Sequence, residues 1–468
     1  MTTGEPDSAR RWRAALYGSG DLGFNFYWTT VSLYILYYYT DVLGISASAA
    51  GLVFLAAMLW DAVTDPLMGL IAQRTRTRWG SYRPFIIGGA IPLCLSLMLL
   101  FHAPGLQGTA LIAYALAMQV LFRTAYTIAN IPYSALASSI TDSSLERSAL
   151  SAWRISLATI GSAFVGYSTL KLVPLLGAGD EARGFFLTAA IYGWLSLPFL
   201  LGVGCFVRET RPPEVTARVS LRETFKVLRR NRPFLIVLAA TMCATLGGVI
   251  SSKTLVYYFK YTLGNEAAVG LAFAANSLTI LVSAPLWAML TIRTSKRFVW
   301  RTGALCSITG SLLLFINPFE TVWVVIALVT VSAIGAAAGY LSFWSALPDT
   351  VEYGEVRCRK RIEAPTFGIM SFAQKTAYGA AVAMAGLLLD MIGYQPNVEQ
   401  SPATIGYLKA IMTLVPAAFI AIAYIIIGTY PLDAKNHARL VTILRKRRGH
   451  IRQPASAHRD RDAPWAGR

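Results

Sequence analysis

The chain has 468 residues, 55% hydrophobic and only 14% charged, and its mean hydropathy of +0.51 places it among polytopic membrane proteins and excludes an ordinary soluble domain. A formal charge of +18 and a pI near 9.8 would suit a nucleic-acid binder, but the basic residues fall almost wholly in alternate short loops, as positive-inside topology requires. Five cysteines without paired spacing and four scattered histidines indicate neither a disulfide framework nor a metal site, so no cofactor is expected.

Taking about 20 mostly apolar residues as one span gives an all-α protein of twelve transmembrane helices. The first six cover 16–40, 46–73, 84–102, 108–138, 147–173 and 183–207. The second six cover 234–260, 267–291, 298–316, 320–347, 365–394 and 403–430. Several are long enough to tilt or kink, with Pro66 and Pro132 as candidates. Met1 to Arg13 is polar and basic without a following cleavage pattern, so the first span is expected to be retained. Arg10, Arg11 and Arg13, then Arg74 to Arg83, Arg208 to Arg232, Arg293 to Arg297, Arg357 to Arg361 and Lys435 to Arg448 occupy the same side in this count. That side is expected to be cytoplasmic, with both termini on it and the chain in an inner (plasma) membrane. The longest hydrophilic connection, 208–233, then separates a bundle at 1–207 from one at 234–430, and 431–468 forms a basic tail.

Within the second span, Trp60-Asp61-Ala62-Val63-Thr64-Asp65-Pro66 places two acids where neither is cheap. A charge at mid-membrane costs about 2.5–3.5 kcal/mol on insertion scales, so such a residue is a functional hypothesis by default. The i,i+4 spacing puts both carboxylates on one helix face, where they repel unless a cation or a proton comes between them. The alternative is hydration of the acids at a helix end.

The two sets of six carry an echo. Tyr37-Tyr38-Tyr39-Thr40-Asp41-Val42-Leu43-Gly44 closes span one, and Tyr257-Tyr258-Phe259-Lys260-Tyr261-Thr262-Leu263-Gly264 closes span seven, an offset of 220. Tyr133-Ser134-Ala135-Leu136 in span four and Trp344-Ser345-Ala346-Leu347 in span ten are offset by 211. Such a repeat favours the pseudo-symmetric six-plus-six bundles of the major facilitator superfamily, with a substrate site near mid-membrane.

Further motifs carry a more specific resemblance. Tyr17-Gly18-Ser19-Gly20-Asp21, Trp60-Asp61-Ala62 through Asp65-Pro66-Leu67-Met68-Gly69, and Arg78-Trp79-Gly80-Ser81-Tyr82-Arg83-Pro84 are similar to the glycoside-pentoside-hexuronide:cation symporter family. The match continues through Asn130-Ile131-Pro132-Tyr133, Asp349-Thr350-Val351-Glu352-Tyr353-Gly354-Glu355 and Gly393-Tyr394-Gln395-Pro396-Asn397. The resemblance implies cation-coupled sugar import by alternating access. It makes Asp61, Asp65 and Thr127 cation ligands, with Thr64 in place of an Asn and Na+ or H+ left open as the coupling ion. Tyr126, Arg154 and Lys375 match positions lining the substrate cavity, while Asn25 and Asn130 replace two sugar-binding acids of a galactoside carrier. An aromatic one turn after the second of these is Ser134 here. Asn both donates and accepts, so a polyol remains a fitting partner. Tyr126 could equally be a packed residue with its hydroxyl bonded locally.

Arg154, Lys253 and Lys375 lie inside the expected spans, and each needs a partner or water. Arg154 and Lys253 are each placed to snorkel, and Lys253 alternatively meets the carboxylate of an acidic substrate. Lys375 is expected to exchange partners with the cation acids. The basic loop Arg74 to Arg83 and the acidic run Asp349 to Glu355 suggest a breakable latch between halves, Arg78 or Arg83 pairing with Asp349 or Glu352. The leading expectation is a symporter and not an enzyme, moving a sugar with Na+ or H+. The competing readings are a cation-coupled carrier of an amphiphile such as a lysolipid, and a membrane sugar receptor that transports nothing. No nucleophile elbow, metal cluster or phosphate-binding loop supports catalysis.

Overall fold

A computed structural model describes residues 7–141, 144–210, 226–358, 362–432 and, beyond these, 436, 439, 440, 442 and 444. Most of the connection expected at 208–233, and nearly all of the tail expected at 431–468, lie outside the described residues. Among the described residues, twelve long helices follow one another. The first six are α1 (Asp7–Tyr37), α2 (Ala47–Arg74), α3 (Arg83–Leu100), α4 (Gly108–Ile140), α5 (Ser144–Gly177) and α6 (Glu181–Phe206). The second six are α7 (Arg232–Tyr261), α8 (Val269–Arg293), α9 (Lys296–Ile316), α10 (Val322–Cys358), α11 (Glu363–Met391) and α12 (Pro402–Gly428). Each overlaps an expected span, but α1 begins nine residues before the span expected at 16–40 and α10 ends eleven residues after the one expected at 320–347. Ser46, Asn231, Ser295 and Ser401 cap α2, α7, α9 and α12 by accepting a backbone N–H three residues on. Both α2 and α4 run on through Pro66 and Pro132.

Ten of the twelve helices are long and apolar enough to cross a membrane on composition alone; α1 and α11 are the two that are not. Their polar residues include Asp21, Asn25 and Thr29 on α1, and Gln374, Lys375 and Thr376 on α11. The second of these, α11, forms part of the seam described below.

Within the first half, α1 packs on α5 and α6, α3 on α4 and α6, and α2 on α4; within the second, α7 packs on α12 and α11, and α9 on α10 and α12. The halves meet where α2 lies against α11 and α5 against α8. Small residues allow these approaches. A Cβ on Gly51 would stand 2.8 Å from the Ala383 Cα, and one on Gly386 would stand 2.0 Å from the Ala47 carbonyl oxygen. The sequence repeat survives as geometry: Gly44 after α1 and Gly264 after α7 both turn the chain at positive φ, +70° and +62°.

Valine at position 386 would force backbone apart at the α2–α11 seam, at a cost of about 1–3 kcal/mol. The Gly386→Val protein is expected to melt at lower temperature than wild type in detergent, whereas Gly88→Ala, with nothing within 4 Å of the added carbon, is expected to melt unchanged.

Candidate functional site

The site forms where α2, α4 and α11 converge. Asp61 and Asp65, one turn apart on α2, point to the same side; Asp61 is 1% exposed, and Asp65 is largely buried. From α4, the Thr127 hydroxyl lies 2.8 Å from Asp61 Oδ1 and 2.8 Å from Asp65 Oδ1. A hydroxyl has one proton to donate, so it satisfies one carboxylate fully and leaves the other needing a cation or a proton of its own. From the opposite half, Lys375 Nζ donates to Asp61 Oδ2 at 2.7 Å and also to Asp65 Oδ2. Gly379, one turn along α11, lets that helix lie on Leu55 and Met58 of α2, and this approach carries Lys375 to the acids. Thr64 is turned elsewhere: its hydroxyl donates to the Trp60 carbonyl of its own helix at 3.0 Å and adds no ligand to the pair in this conformer.

Beside this centre sits an aromatic group. Tyr126 meets Phe24, Trp28 and Phe122 with ring centroids 5.7, 5.9 and 6.0 Å apart, and Trp28 meets Tyr378 of α11 at 6.0 Å. Asn130, half-buried, follows Tyr126 by one turn of α4. Asn25 donates to the Asp21 carbonyl at 2.7 Å and accepts from Ser162 at 2.9 Å, which orients its amide between α1 and α5.

Two of the basic residues differ from the sequence expectation of snorkelling. Arg154 turns inward and pairs with Asp21 of α1, over the Tyr133 ring at 5.2 Å. Lys253 is 1% exposed and donates to the Ser32 carbonyl, with its ammonium 5.1 Å from the Phe54 ring centre. The expected latch is not closed. Arg83 donates to the carbonyls of Gly204, at 2.6 Å, and Cys205, while Arg78 lies over Trp79 at 5.2 Å. Asp349 accepts from Lys296 at 2.7 Å. No ion pair between described residues joins Arg78 or Arg83 to Asp349 or Glu352. The Glu209 carboxylate accepts from the backbone N–H groups of Ser81, Tyr82 and Arg83, so the loop before α3 is tied to the end of α6 within its own half.

The physical reason is that the halves are fastened at the other end. Asp41, in a π-helical turn at Tyr38–Val42 that extends α1, accepts from Lys260 at 2.9 Å, from Tyr261, and from Tyr394 at 2.6 Å. Its backbone carbonyl accepts from Asn397 at 2.6 Å, and Lys260 also reaches Tyr37 and Asn397 at 2.8 Å each. Nearby, Asp390 of α11 accepts from the first N–H groups of α2, on Ala47 at 3.1 Å and Ser48 at 2.9 Å. These hydrogen bonds between the halves lie at mid-bundle or at this face, whose loops are poor in Lys and Arg.

Sequence reasoning missed Asp41, Asp21 and Arg123. Arg123, on α4 one turn before Thr127, is fully buried with Nη1 3.9 Å from Asp61 Oδ2. The signal for it was available as a charged residue inside an apolar span of the same kind as Asp61.

Two six-helix halves, with buried acids of one held by a lysine of the other, define a secondary transporter of the major facilitator type rather than an enzyme. A family model described as MFS/sugar transport protein matches residues 16–434. The chain belongs to that family, and within it to the glycoside-pentoside-hexuronide:cation symporters. It is 32% identical over 427 residues to the putative glycoside/cation symporter YagG of Escherichia coli (strain K12), covering 90% of this chain and 92% of that one. It is 29% identical over 445 residues to the glucuronide carrier protein homologue of the same organism, with 93% and 96% covered. Its fold is similar to that of a bacterial homologue of the human lysosomal transporter Spinster, with a TM-score of 0.68 at 13% identity over 94% of this chain and 99% of the other.

Asp41→Asn keeps the shape of the closed face and removes the charge that Lys260, Tyr261 and Tyr394 approach, an expected cost of about 3–5 kcal/mol for breaking a buried pair. Spin labels at Leu106 and Phe319, exposed positions on the charge-poor ends of the two halves, are expected to report a longer-distance population in that variant. An unchanged distance distribution would remove Asp41 from the closure of this face.

Proposed function

We propose that this multi-pass membrane protein couples entry of Na+ or H+ to uptake of a sugar or glycoside by alternating access. In this reading the plasma membrane holds the basic face and both termini on the cytoplasmic side. The conformer described is then sealed outside and open inside. The units 1–207 and 234–430 move against each other, with 208–233 linking them.

The observation that carries the proposal is the buried Asp61–Asp65 pair, spanned by Thr127 from its own half and neutralised by Lys375 from the other. The acids need positive charge in every state. With Lys375 in place they are satisfied across the seam. When a coupling ion takes the carboxylate and hydroxyl oxygens, Lys375 is released from them and α11 is free to change its position on α2. Hard monovalent cations and protons both fit a set made of carboxylate and hydroxyl oxygens. Tyr126 just before Thr127 and Asn130 just after it on α4 bring an aromatic face and an amide to the same region, which suits a polyol. The similarity to a putative glycoside/cation symporter supports both halves of the reading.

Inverted or reconstituted vesicles with an imposed Na+ or H+ gradient and a panel of labelled sugars test it. Asp61→Asn and Asp65→Asn are each expected to lower gradient-driven uptake by about a hundredfold or more, while equilibrium exchange of the substrate persists. Uptake that still follows the gradient in both variants would refute the coupling assignment.

A further inference from the structure

The ion-coupling centre leaves one buried group of side chains without a role. Arg123 is fully buried, and its Nε, Nη1 and Nη2 have no hydrogen-bond partner. The guanidinium is flanked by the faces of Trp28 at 5.1 Å and Phe54 at 5.3 Å, which stabilise its charge but leave its in-plane N–H donors unused. Asp61, at 3.9 Å from Nη1, is too far to accept a hydrogen bond. One turn earlier on α4, Gln119 is also fully buried with both amide atoms unpaired. The Phe54 ring that Arg123 covers is approached as well by the Lys253 ammonium at 5.1 Å, and beside it the Ser32 hydroxyl is unpaired. Two cations thus share one aromatic ring in the protein interior. Lys253 has a single backbone carbonyl as hydrogen-bond acceptor.

Charge balance points the same way. Asp61 and Asp65 bring two negative charges, whereas Lys375, Arg123 and, when protonated, Lys253 bring up to three positive ones. Adding a coupling cation raises the surplus to as much as two, in a region where uncompensated charge is expensive. Buried donors left unpaired lose their hydration without return, and charged ones lose most, so their retention calls for a state in which they are used.

We infer that Arg123, Lys253 and Gln119 receive one anionic group, and that the carried substrate is a polyol bearing a single carboxylate or sulfonate. This rests on the symporter reading above and adds the charge of its cargo. The planar guanidinium fork matches two oxygens of either group, Gln119 adds a neutral amide donor, and Lys253 adds a third direction. Arg123 stands on α4 and Lys253 on α7, so an anion held by both is gripped by the two halves together. Lys253 leaves the Ser32 carbonyl to do so, which makes the site form as the halves move.

The test uses the purified full-length chain and matched acid and neutral pairs: glucuronate with glucose, galacturonate with galactose, and 2,3-dihydroxypropane-1-sulfonate with glycerol, with sodium chloride as a further arm. Binding is read by thermal shift and by counterflow. An acid is expected to bind at least about tenfold more tightly than its neutral partner, and Arg123→Gln and Lys253→Gln are each expected to weaken that acid about tenfold or more. Comparison of the sugar acids with the sulfonate identifies which anion is preferred. The inference is overturned if a neutral partner binds as well as its acid, if no acid binds, if chloride alone gives the full effect, or if the acid is indifferent to both substitutions. Should Arg123→Gln fail to fold, Lys253→Gln alone decides, with Lys253→Arg expected to restore acid binding. A neutral sugar carried in an Asp61-dependent, gradient-driven way would remove the anion site and leave the symporter reading intact.

Discussion

The contact of Lys375 with Asp61 and Asp65 is the constraint on which the rest of the molecule depends. Two acids on successive turns of a membrane helix cannot both remain ionised in an apolar interior without a counter-charge. Here the ammonium that hydrogen-bonds both acids comes from the other half of the molecule, while Arg123 of their own half stands 3.9 Å from Asp61. The same ammonium therefore neutralises the acids and holds α11 to α2, and anything that replaces it on the carboxylates also loosens the seam. Reciprocity follows: if release of Lys375 favours one opening of the bundle, that opening favours the ligand that released it.

The seam is built so that this exchange can matter. Glycines 51, 379 and 386 let α2 and α11 lie close together, with Phe54 of α2 against Tyr378 of α11 at 5.8 Å between ring centroids. Closure at the face away from the basic loops joins aromatic packing, such as Tyr34 on Phe273, to polar contacts around Asp41 and to those of Asp390 at the start of α2. The polar contacts exchange readily for water when a cleft opens, which a continuous apolar interface would not do. On the opposite face Arg83 and Glu209 hold their own half together. The basic loop is thereby kept rigid, whatever partner it meets when that face closes.

Much of this was legible in the sequence because membrane insertion imposes strong rules. Twelve apolar runs, their even number and the alternation of basic loops gave the helices close to their observed bounds, except at the start of α1 and the end of α10. Asp61 and Asp65 stood out because an acid in lipid is costly and their spacing fixes a common face. The echo of Gly44 at Gly264 reflected a real turn. What stayed hidden was the rotation of each helix. A span that is apolar all round carries no amphipathic stripe to say which side faces inward, so nothing in the pattern told that Thr64 turns to its own backbone while Thr127 reaches both acids. Arg154 and Lys253 looked free to snorkel because their partners, Asp21 and the Ser32 carbonyl, are more than a hundred positions away in the chain. Arg123 could have been found by the rule that found Asp61, and was passed over beside residues with a recognisable motif.

The distribution of polarity among the helices has a further consequence. Composition alone would carry ten of these helices into a membrane, but not α1 and α11. Those two supply Asp21, Asn25 and Asp41 on one side and Lys375 and Asp390 on the other. Their polar groups are tolerated because the apolar helices around them provide the lipid-facing surface and because each charge finds a partner on a different helix. A helix freed from the need to be apolar can carry chemistry, at the cost of depending on its neighbours to remain in place. Of the three helices that form the centre, α11 is thus the one whose membrane position is set by tertiary packing, so a shift in that packing moves Lys375 with it.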